Sequence, residues 1–443
     1  MIRDTAAEDL PAAAAGRGAA AGPAGSGGAA GPAGSGGAAG PAGPGAAAAS
    51  PAAADRPRGC ARPLGEVYDV ALLDLDGVVY LGGKGIPGAP QALTRAQGHG
   101  MRLAFVTNNA SRSPGAIAQQ LTSLSIAASR ADIVTSAQAA ARLIAERLPS
   151  GSAVLVAGGI GLRLALREHG MRPVSTAAER PAAVVQGYAP DIGYSLLAEA
   201  ALAIRDGAWY VASNADATLP SARGPVPGNG ALIQLLVTAT GRQPVVAGKP
   251  EPPLHAEAVR RTGARHPLVV GDRLDTDIEG AVRVGADSLL VLTGVTRPAD
   301  VVLAAPHRRP VYIAPDLTGL LEPHPEVAAS GGDFSCEGWT ARLIRDPNGA
   351  DQPGAGLSPD GGHRQDGGGR AGGDGPESGH GAARRPGAAS QAASGQLELS
   401  GSGTPIDGLR ALCAAAWSAD AVTAEMVQSV IGKLGFSAGP RHS

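Results

Sequence analysis

The 443-residue chain has little cysteine, few aromatic side chains and almost no net charge. Its three cysteines, Cys60, Cys336 and Cys413, lie far apart, which excludes a disulfide framework and a paired-cysteine metal or redox site. The 37 basic residues nearly balance the 39 acidic ones, so no overall field draws the protein to nucleic acid or an acidic membrane. No apolar run reaches about 18 residues, and the N-terminus lacks the pattern of a signal peptide. We therefore expect a cytoplasmic protein with no nucleic-acid and no membrane partner.

Two long segments lack the large apolar side chains that a folded core requires. Residues 11–63 contain no Val, Ile, Leu, Met, Phe, Tyr or Trp, and Leu357 is the only such residue between 346 and 395. Segments of this composition cannot offset the conformational entropy lost on folding. We therefore expect a disordered leader over residues 1–65 and a disordered glycine-rich insert over residues 346–403.

Between these segments, short apolar runs alternate with amphipathic stretches at the spacing of strand–helix units. The runs VALL and LAFV indicate buried strands, and SPGAIAQQLTSL indicates a helix with Ser113 as its N-cap. Further along, PLVVGDRLDTD, IEGAVRVGA and DSLLVLTG repeat the order strand, helix, strand. This alternation predicts an α/β fold with a mainly parallel sheet.

Polar residues follow four of the apolar runs directly. The four sets are Asp74 with Asp76, Thr107 with Asn108 and Asn109, Lys249 alone, and Asp272 with Asp277. Because ligands of open parallel sheets bind beyond the carboxyl ends of the strands, we expect these sets to meet at one sheet edge. Carboxylates supply the oxygen ligands that Mg²⁺ prefers, and the lysine, hydroxyl and amide groups supply donors for an anion. The pattern favours metal-assisted phosphoryl transfer.

Each set has a simpler explanation when it is taken alone. The aspartate pair is typical of an acidic turn, Thr-Asn-Asn of an ordinary turn, a single lysine of the surface, and GDRLDTD of a capped helix start. The segment VLVAGGIGLRLALREHG imitates a dinucleotide-binding turn, but Leu164 stands where the third glycine belongs. A P-loop is excluded because proline, and not serine or threonine, follows Lys249. The inference to a site depends on the joint order of the four sets.

That order resembles the four motifs of the haloacid dehalogenase superfamily, here DLDGVVY, TNN, GKP and GDRLDTD. The long α/β segment between TNN and GKP resembles the cap of subfamily IIA, as do the phrases FVTNNASRS, SNADAT, GPVPGNGAL and GKPEPP. The resemblance covers about residues 66–322. It implies a Rossmann-like core formed by residues 66–148 and 241–322, with an inserted α/β cap over residues 149–240.

The resemblance also implies how the acidic residues act. Asp74 would be the nucleophile that forms an aspartyl-phosphate, and Asp76 would protonate the leaving oxygen and then activate water. Asp74, the Asp76 carbonyl and Asp272 would bind Mg²⁺, while Asp277 would orient a ligand or water from behind them. An aspartate two residues after the nucleophile favours hydrolysis of phosphate esters over transfer to other acceptors.

The remaining implied site residues hold the substrate. Lys249 would neutralise the phosphoryl charge during catalysis, and Thr107, Asn108 and Asn109 would bind the phosphoryl oxygens beside it. The cap residues expected to face the leaving group are Asn214, Asp216, Gly228 and Asn229. Since the core motifs contact only the phosphoryl group, the cap is expected to set substrate specificity.

Within this branch, the expected partner is a small phosphorylated metabolite. Glycerol 3-phosphate ranks first, followed by 2-phosphoglycolate, pyridoxal phosphate and 4-nitrophenyl phosphate. A homodimer through the cap is a further expectation. Two alternatives stay open: a phosphotransferase or mutase of the same fold, and a catalytically silent regulatory protein that binds phosphate.

The segments that flank the insert also have regular patterns. FSCEGWTARLIR indicates a strand, while IDGLRALCAAAW and AEMVQSVIGKLGF indicate helices with apolar faces. We expect them to form one accessory α/β unit over residues 333–345 and 404–436, which resembles an acetyltransferase fragment. The alternative is a pair of independent tails.

Overall fold

The structure is a computed structural model of the chain, and it describes residues 55–219, 223–345, 395–419 and 422–436. Most of the expected leader and the part of the expected insert up to residue 394 lie outside the described residues. Among the helices that the structure describes, none is both long enough and apolar enough to cross a bilayer.

The described residues contain both strands and helices throughout. The strands are β1 (Val70–Leu73), β2 (Tyr80–Leu81), β3 (Lys84–Gly85), β4 (Arg102–Thr107), β5 (Ile133–Thr135), β6 (Ala153–Ala157), β7 (Arg172–Val174), β8 (Ala183–Gln186), β9 (Trp209–Ala212), β10 (Thr218–Leu219), β11 (Val226–Pro227), β12 (Val245–Val246), β13 (Pro267–Gly271), β14 (Asp287–Val291), β15 (Tyr312–Ala314), β16 (Ala328–Ser330), β17 (Asp333–Cys336), β18 (Trp339–Arg345) and β19 (Gly395–Gly401). The α-helices are α1 (Leu64–Val67), α2 (Ala89–Gly98), α3 (Pro114–Ser123), α4 (Ser136–Arg147), α5 (Ile160–Glu168), α6 (Tyr194–Arg205), α7 (Asn229–Thr240), α8 (Pro252–Thr262), α9 (Glu279–Val284), α10 (Pro298–Val302), α11 (Pro405–Trp417) and α12 (Ala424–Ile431).

The first sheet has six parallel strands in the order β15-β14-β13-β1-β4-β5. Every residue of β1 is buried, and successive side chains alternate between two apolar clusters on opposite faces of the sheet. The predicted α/β fold with a mainly parallel sheet is confirmed. Since β1 lies between β4 and β13, the ends of these three strands are adjacent.

Local sequence signals account for the start of α3. The Ser113 side chain accepts a hydrogen bond from the Ala116 backbone nitrogen at 3.2 Å, and Pro114 occupies the first turn. A proline fits there because its missing N–H would have no partner inside the helix. The prediction of a helix capped by Ser113 is confirmed.

The second sheet is also parallel, with five strands in the order β12-β9-β8-β6-β7. Its edge strand β12 pairs with β9, so the sheet continues beyond residue 240, where the sequence analysis ends the cap. A strand of two residues has no measurable hydrophobic period, and the pattern could not reveal it.

The two parallel sheets share one buried apolar cluster. Val70 and Leu72 of β1 belong to it together with Val154 and Val156 of β6 and with Ala140 of α4. The helix α4 supplies the link, because it contacts both α5 and α8. Hydrophobic packing therefore joins the sheets, in addition to the chain segments that cross between them.

A third sheet has four antiparallel strands in the order β16-β17-β18-β19. The helices α11 and α12 pack against this third sheet. β18 pairs with β19 along its whole length, so that Arg345 stands opposite Gly395. The expectation that residues 395–403 belong to the disordered insert is therefore wrong. Leu397 and Leu399 alternate with exposed residues and bury their side chains, as in an amphipathic strand.

The C-terminal unit, which comprises β16–β19, α11 and α12, is docked on the first sheet. Arg410 of α11 donates to the Ile313 carbonyl of the edge strand β15 at 2.7 Å and to Asp407 Oδ1 at 2.6 Å. The Trp417 indole nitrogen donates to the Val301 carbonyl at 3.2 Å. Side chains from both parts share one buried cluster, so the first sheet has no exposed edge at β15.

The last residues of the expected leader also form backbone hydrogen bonds with segments that flank β15. The Arg58 nitrogen donates to the Val311 carbonyl at 2.9 Å, and the Cys60 nitrogen donates to the His324 carbonyl at 2.7 Å. Leu64 is fully buried at the start of α1. The prediction of disorder up to residue 65 is wrong for this stretch, because backbone hydrogen bonds and one buried leucine fix it in place.

Candidate active site

Three neighbouring strands of the first sheet end at the same edge, and each carries a predicted site residue there. Asp74 follows β1, Thr107 ends β4, and Asp272 follows β13. Asp277 lies in the π-helical turn after Asp272. Lys249 reaches this edge from the loop after β12, which is a strand of the second sheet. The structure thus brings together residues that lie up to 203 positions apart in the sequence, as Asp74 and Asp277 do.

Lys249 is the centre of the cluster. Its Nζ donates to Asp74 Oδ1 at 2.5 Å, to Asp277 Oδ1 at 2.7 Å and to the Val106 carbonyl at 3.2 Å. The lysine side chain is only 3% exposed. A buried ammonium group is stable only when opposite charges and acceptors surround it, and all three donors are occupied here. The lysine is therefore fixed beside the carboxyl group of Asp74.

Three carboxylates next to this lysine could hold a metal ion. One oxygen from each of Asp74, Asp272 and Asp277 lies within 4.8 Å of the others. Asp272 Oδ2 accepts from the Val295 nitrogen at 2.7 Å, whereas the buried Asp272 Oδ1 has no hydrogen-bond partner among the described residues. An unpartnered buried carboxylate oxygen is costly unless a cation occupies the site. The donor set therefore fits Mg²⁺, a hard cation that prefers oxygen ligands.

The ionisation of these groups reflects their crowding. Burial raises the pKa of Asp74 to about 7, although the Lys249 ammonium opposes the shift. Burial and the nearby Asp277 and Asp74 carboxylates also raise the pKa of Asp272. Burial alone would lower the pKa of Lys249, but its two carboxylate partners outweigh burial and raise it. A divalent cation would relieve the repulsion among the carboxylates and favour their charged forms.

Asp76 leaves the strand end two residues after Asp74, and its side chain is exposed. Partial withdrawal from water raises the pKa of Asp76, while Lys249 and Arg112 act in the opposite direction. The next residue, Gly77, has a φ of +84°, and a Cβ there would lie 2.5 Å from Asp272 Oδ2. Only glycine permits this turn, and it lets the backbone of the DLDG loop approach the Asp272 carboxylate.

The TNN segment contributes both a turn and a link to the second sheet. The Asn109 nitrogen donates to Thr107 Oγ1 at 3.1 Å, and Asn109 Oδ1 accepts from the Ser111 nitrogen at 3.0 Å. Asn108 Oδ1 accepts from the Lys249 nitrogen at 2.8 Å, and its Nδ2 donates to the Lys249 carbonyl at 3.2 Å. The Asn109 side-chain oxygen therefore stabilises the turn, while Asn108 aligns the backbone of the lysine loop.

The four predicted cap residues lie beside Asn108 but differ in their contacts. Asn214 Nδ2 donates to the Asn108 carbonyl at 2.8 Å, and Asp216 Oδ1 accepts from Asn108 Nδ2 at 3.2 Å. Asn229 is buried and donates to the Asn214 carbonyl at 2.7 Å. A Cβ at Gly228 would lie 2.3 Å from the Asp216 carbonyl. Two of the residues thus reach the TNN segment, and the other two fix the loop that carries them.

One polar residue next to this group, Gln186, is not among the residues predicted from the sequence. Gln186 ends β8 in the run AVVQ, is completely buried, and donates to Asn229 Oδ1 at 3.3 Å. The same rule that identifies Asp74, namely a polar residue at the end of an apolar strand, could have found it.

The fold and the cluster together define a class of protein. A parallel α/β sheet carries, at one edge, a buried lysine that contacts the Asp74 carboxyl group and an oxygen-rich place for a divalent cation. Such a cluster can bind a phosphoryl group and transfer it to the Asp74 carboxylate, since the cation and the lysine neutralise its charge. This is the site of a metal-dependent phosphoryl hydrolase.

Comparison with known proteins agrees with this class. The model of haloacid dehalogenase-like hydrolases matches residues 71–172, and a second model of HAD-like hydrolases matches residues 246–320. A third model, for a GCN5-related N-acetyltransferase-like domain, matches residues 386–430 in the C-terminal part of the chain. The predicted likeness of this part to an acetyltransferase fragment agrees with that match.

The matching relatives include characterised phosphatases. The chain is 51% identical over 259 residues to the D-glycerol 3-phosphate phosphatase of Mycobacterium tuberculosis, which covers 58% of this chain and 72% of the relative. It is 38% identical over 234 residues to the 5'-nucleotidase YutF of Bacillus subtilis, covering 52% of this chain and 90% of the relative. A crystal structure of glycerol phosphate phosphatase from Mycobacterium tuberculosis in complex with magnesium has a TM-score of 0.66 and 38% identity, and the match covers 83% of this chain and 98% of that one.

The chain therefore belongs to the haloacid dehalogenase-like hydrolase family, and the prediction of a phosphatase of this superfamily is confirmed.

Proposed function

We propose that this chain is a Mg²⁺-dependent phosphatase of small phosphate monoesters that acts through a phosphorylated Asp74. The observation that carries the proposal is the contact of Lys249 with Asp74 beside the unpartnered oxygen of Asp272. Asp74, the Asp76 carbonyl and Asp272 would hold the cation, with Asp277 behind them fixing Lys249. When bound, Mg²⁺ would neutralise phosphoryl charge and keep Asp74 ionised.

In the first step, an Asp74 oxygen attacks phosphorus and the bond to the leaving oxygen breaks. Asp76 donates its proton to that oxygen, and partial withdrawal from water raises the pKa of Asp76, which favours the protonated form that this step needs. In the second step, Asp76 takes a proton from water, which attacks the aspartyl-phosphate and releases inorganic phosphate. Lys249, Thr107 and Asn108 would bind the phosphoryl oxygens through both steps, with Asn109 holding the turn beside them.

We propose glycerol 3-phosphate as the first substrate. The M. tuberculosis relative named for this activity covers the core and the cap at 51% identity, which supports the choice. The geometry adds support, because Asp216 Oδ1 accepts a hydrogen bond from Asn108, a residue that we expect to bind the phosphoryl group. A negative charge there repels a second anionic group, so a hydroxyl-bearing leaving group is favoured over the carboxylate of 2-phosphoglycolate.

The experiment is a panel of phosphate esters assayed for inorganic phosphate release with and without Mg²⁺. Wild type should hydrolyse glycerol 3-phosphate with the highest kcat/KM in the panel, and Asp74→Asn should lose activity while it keeps its fold. Transfer to an acceptor without phosphate release would indicate the phosphotransferase or mutase. Inactivity across the whole panel would indicate a silent phosphate-binding protein.

A substitution of Asp216 tests its role in substrate specificity. Asp216→Asn removes the charge but keeps the shape and the acceptor for Asn108. It should raise the kcat/KM for 2-phosphoglycolate relative to glycerol 3-phosphate by about tenfold, the effect of roughly 1.4 kcal/mol. The kcat/KM of this variant for 4-nitrophenyl phosphate should change by a smaller factor than this ratio does. A uniform change across the panel would show that Asp216 does not discriminate between leaving groups.

We further propose a homodimer through the cap. Tyr194 and Leu202 of α6 and Leu235 of α7 are 84%, 54% and 45% exposed, an unusual density of large apolar side chains on neighbouring helices. Sedimentation velocity should show a dimer in wild type and a monomer in a Tyr194→Ser, Leu202→Ser variant. The balanced charge supports the absence of nucleic-acid and membrane partners, and the three cysteines, none in a disulfide, support a reducing compartment such as the cytoplasm.

A further inference from the structure

A chain of buried hydrogen bonds runs from the interior of the second sheet to the proposed nucleophile. It begins at Tyr210 on β9, whose hydroxyl donates to Gln186 Oε1. Gln186 Nε2 donates to Asn229 Oδ1 at 3.3 Å, and Asn229 Nδ2 donates to the Asn214 carbonyl at 2.7 Å. Asn214 Nδ2 then donates to the Asn108 carbonyl at 2.8 Å. In each of these four bonds, the donor is the residue that comes earlier in this series.

The chain then reaches Asp74 through Asn108 and Lys249, and in each of these residues covalent bonds join one hydrogen bond to the next. Asn108 accepts from the Lys249 nitrogen at 2.8 Å, and Lys249 Nζ donates to Asp74 at 2.5 Å. Tyr210, Gln186, Asn229 and the lysine are each less than one-tenth exposed. Water therefore cannot replace a lost partner easily, and each group depends on its neighbour for its orientation.

We infer that Tyr210 and Gln186 are positioning residues for catalysis, an assignment that rests on the proposed function. Neither can touch the phosphoryl group, because Asn229 and Asn214 lie between them and Asn108. They act by fixing the orientation of the side chains that lie between them and Asn108. A glutamine amide can present either its oxygen or its NH₂ group to a neighbour, and the two ends differ little in shape. The Tyr210 hydroxyl donates to the oxygen end, which leaves the NH₂ end to face Asn229 Oδ1.

Without that hydroxyl, only the 3.3 Å hydrogen bond to Asn229 Oδ1 favours this orientation of Gln186. If the amide turned over, two oxygens would face each other between Gln186 and Asn229, and Asn229 would move. Asn214 and Asn108 would lose their alignment in turn, and with them the backbone of Lys249. Catalytic groups displaced by about 1 Å can cost roughly 10²-fold in rate. The tyrosine thus fixes the phosphate-binding groups from a distance.

The test uses the full-length protein and the variants Tyr210→Phe, Gln186→Met and their double variant. For Tyr210→Phe we expect the kcat/KM for 4-nitrophenyl phosphate to fall by about 10- to 100-fold. The Kd of orthovanadate with Mg²⁺, measured by calorimetry, should rise by a similar factor. The double variant should lose no more than the worse single variant, because both changes break the same chain.

Tyr312→Phe is the matched control. It also removes a buried tyrosine hydroxyl, one that accepts from the Tyr68 hydroxyl at 3.1 Å, away from the site. The two variants should lose similar amounts of thermal stability, but Tyr312→Phe should keep its kinetics and its vanadate affinity. If Tyr210→Phe proves insoluble, Gln186→Met gives the same comparison.

Two results would overturn the inference. One is a Tyr210→Phe enzyme with kcat/KM and vanadate affinity within twofold of wild type, and the other is additive losses in the double variant. Either would leave the proposed function intact, provided that wild type releases phosphate. Failure of wild type to hydrolyse any ester would instead reject the proposed function, and the vanadate affinities of the variants would still test the chain.

Discussion

Replacing Lys249 by methionine tests the centre of the site most directly. The change keeps the length of the side chain but removes the ammonium group that lies 2.5 Å from Asp74 and 2.7 Å from Asp277. Removing one partner of a buried charge pair costs about 3–5 kcal/mol. At about 1.4 kcal/mol per tenfold, a loss of that size in the transition state lowers kcat by roughly 10²- to 4 × 10³-fold.

The assay is the steady-state hydrolysis of 4-nitrophenyl phosphate at saturating Mg²⁺, with circular dichroism to verify the fold. Lys84→Met is the matched control, because Lys84 is an exposed lysine on β3. The control should retain wild-type kcat. If folded Lys249→Met kept more than a tenth of the wild-type kcat, the lysine would not stabilise the transferred phosphoryl group, and the reasoning would fail.

Three further predictions concern stability. Because burial raises the pKa of Asp74 to about 7, the folded protein binds more protons than the unfolded chain from about pH 4 to 7, and its stability falls across that range. In the presence of a metal chelator, Asp74→Asn should therefore melt at a higher temperature than wild type at pH 8. This difference in melting temperature should disappear near pH 4. Equal melting temperatures at pH 8 would contradict the raised pKa of Asp74. Trp417→Ala should destabilise the protein by about 3–5 kcal/mol, seen as a lower urea midpoint, if α11 is docked through this side chain. Replacing residues 346–394 by Asn-Gly should leave the melting temperature and kcat/KM almost unchanged, because β18 and β19 already pair at Arg345 and Gly395. A melting temperature lowered by more than about 5 °C would show that the segment contributes to folding.

The sequence predicts well which residues meet at this edge of the first sheet, because the strand order and the residue types indicate the same place. Asp74, Thr107 and Asp272 each end an apolar run, and parallel strands have their carboxyl ends on one side, so their meeting follows from topology alone. Lys249 is different. It follows a strand of the second sheet, and only the complete fold shows that this strand ends next to the first sheet.

Features that depend on tertiary contacts could not be read from local patterns. The alternating residues of β19 lie in a short run next to a glycine-rich segment, and their pairing with β18 depends on a partner far along the chain. Similarly, Tyr210 and Gln186 lie in strands whose other residues are apolar, and either could be an ordinary core residue. The proposed role of each residue depends on the neighbour that it contacts, and a single sequence does not contain that information.

The apolar cluster shared by the two parallel sheets limits how the enzyme can exchange ligands. A cap that swung open would have to divide the cluster that contains Val70, Leu72, Val154 and Val156 and expose part of it to water in every catalytic cycle. We therefore expect the second sheet to stay packed against the first during turnover, so that substrate enters and phosphate leaves through an opening of nearly constant width. Turnover should then be insensitive to solvent viscosity, in contrast to enzymes whose rate follows lid opening. The size of the aperture, and not the speed of a hinge, would select which esters reach Asp74.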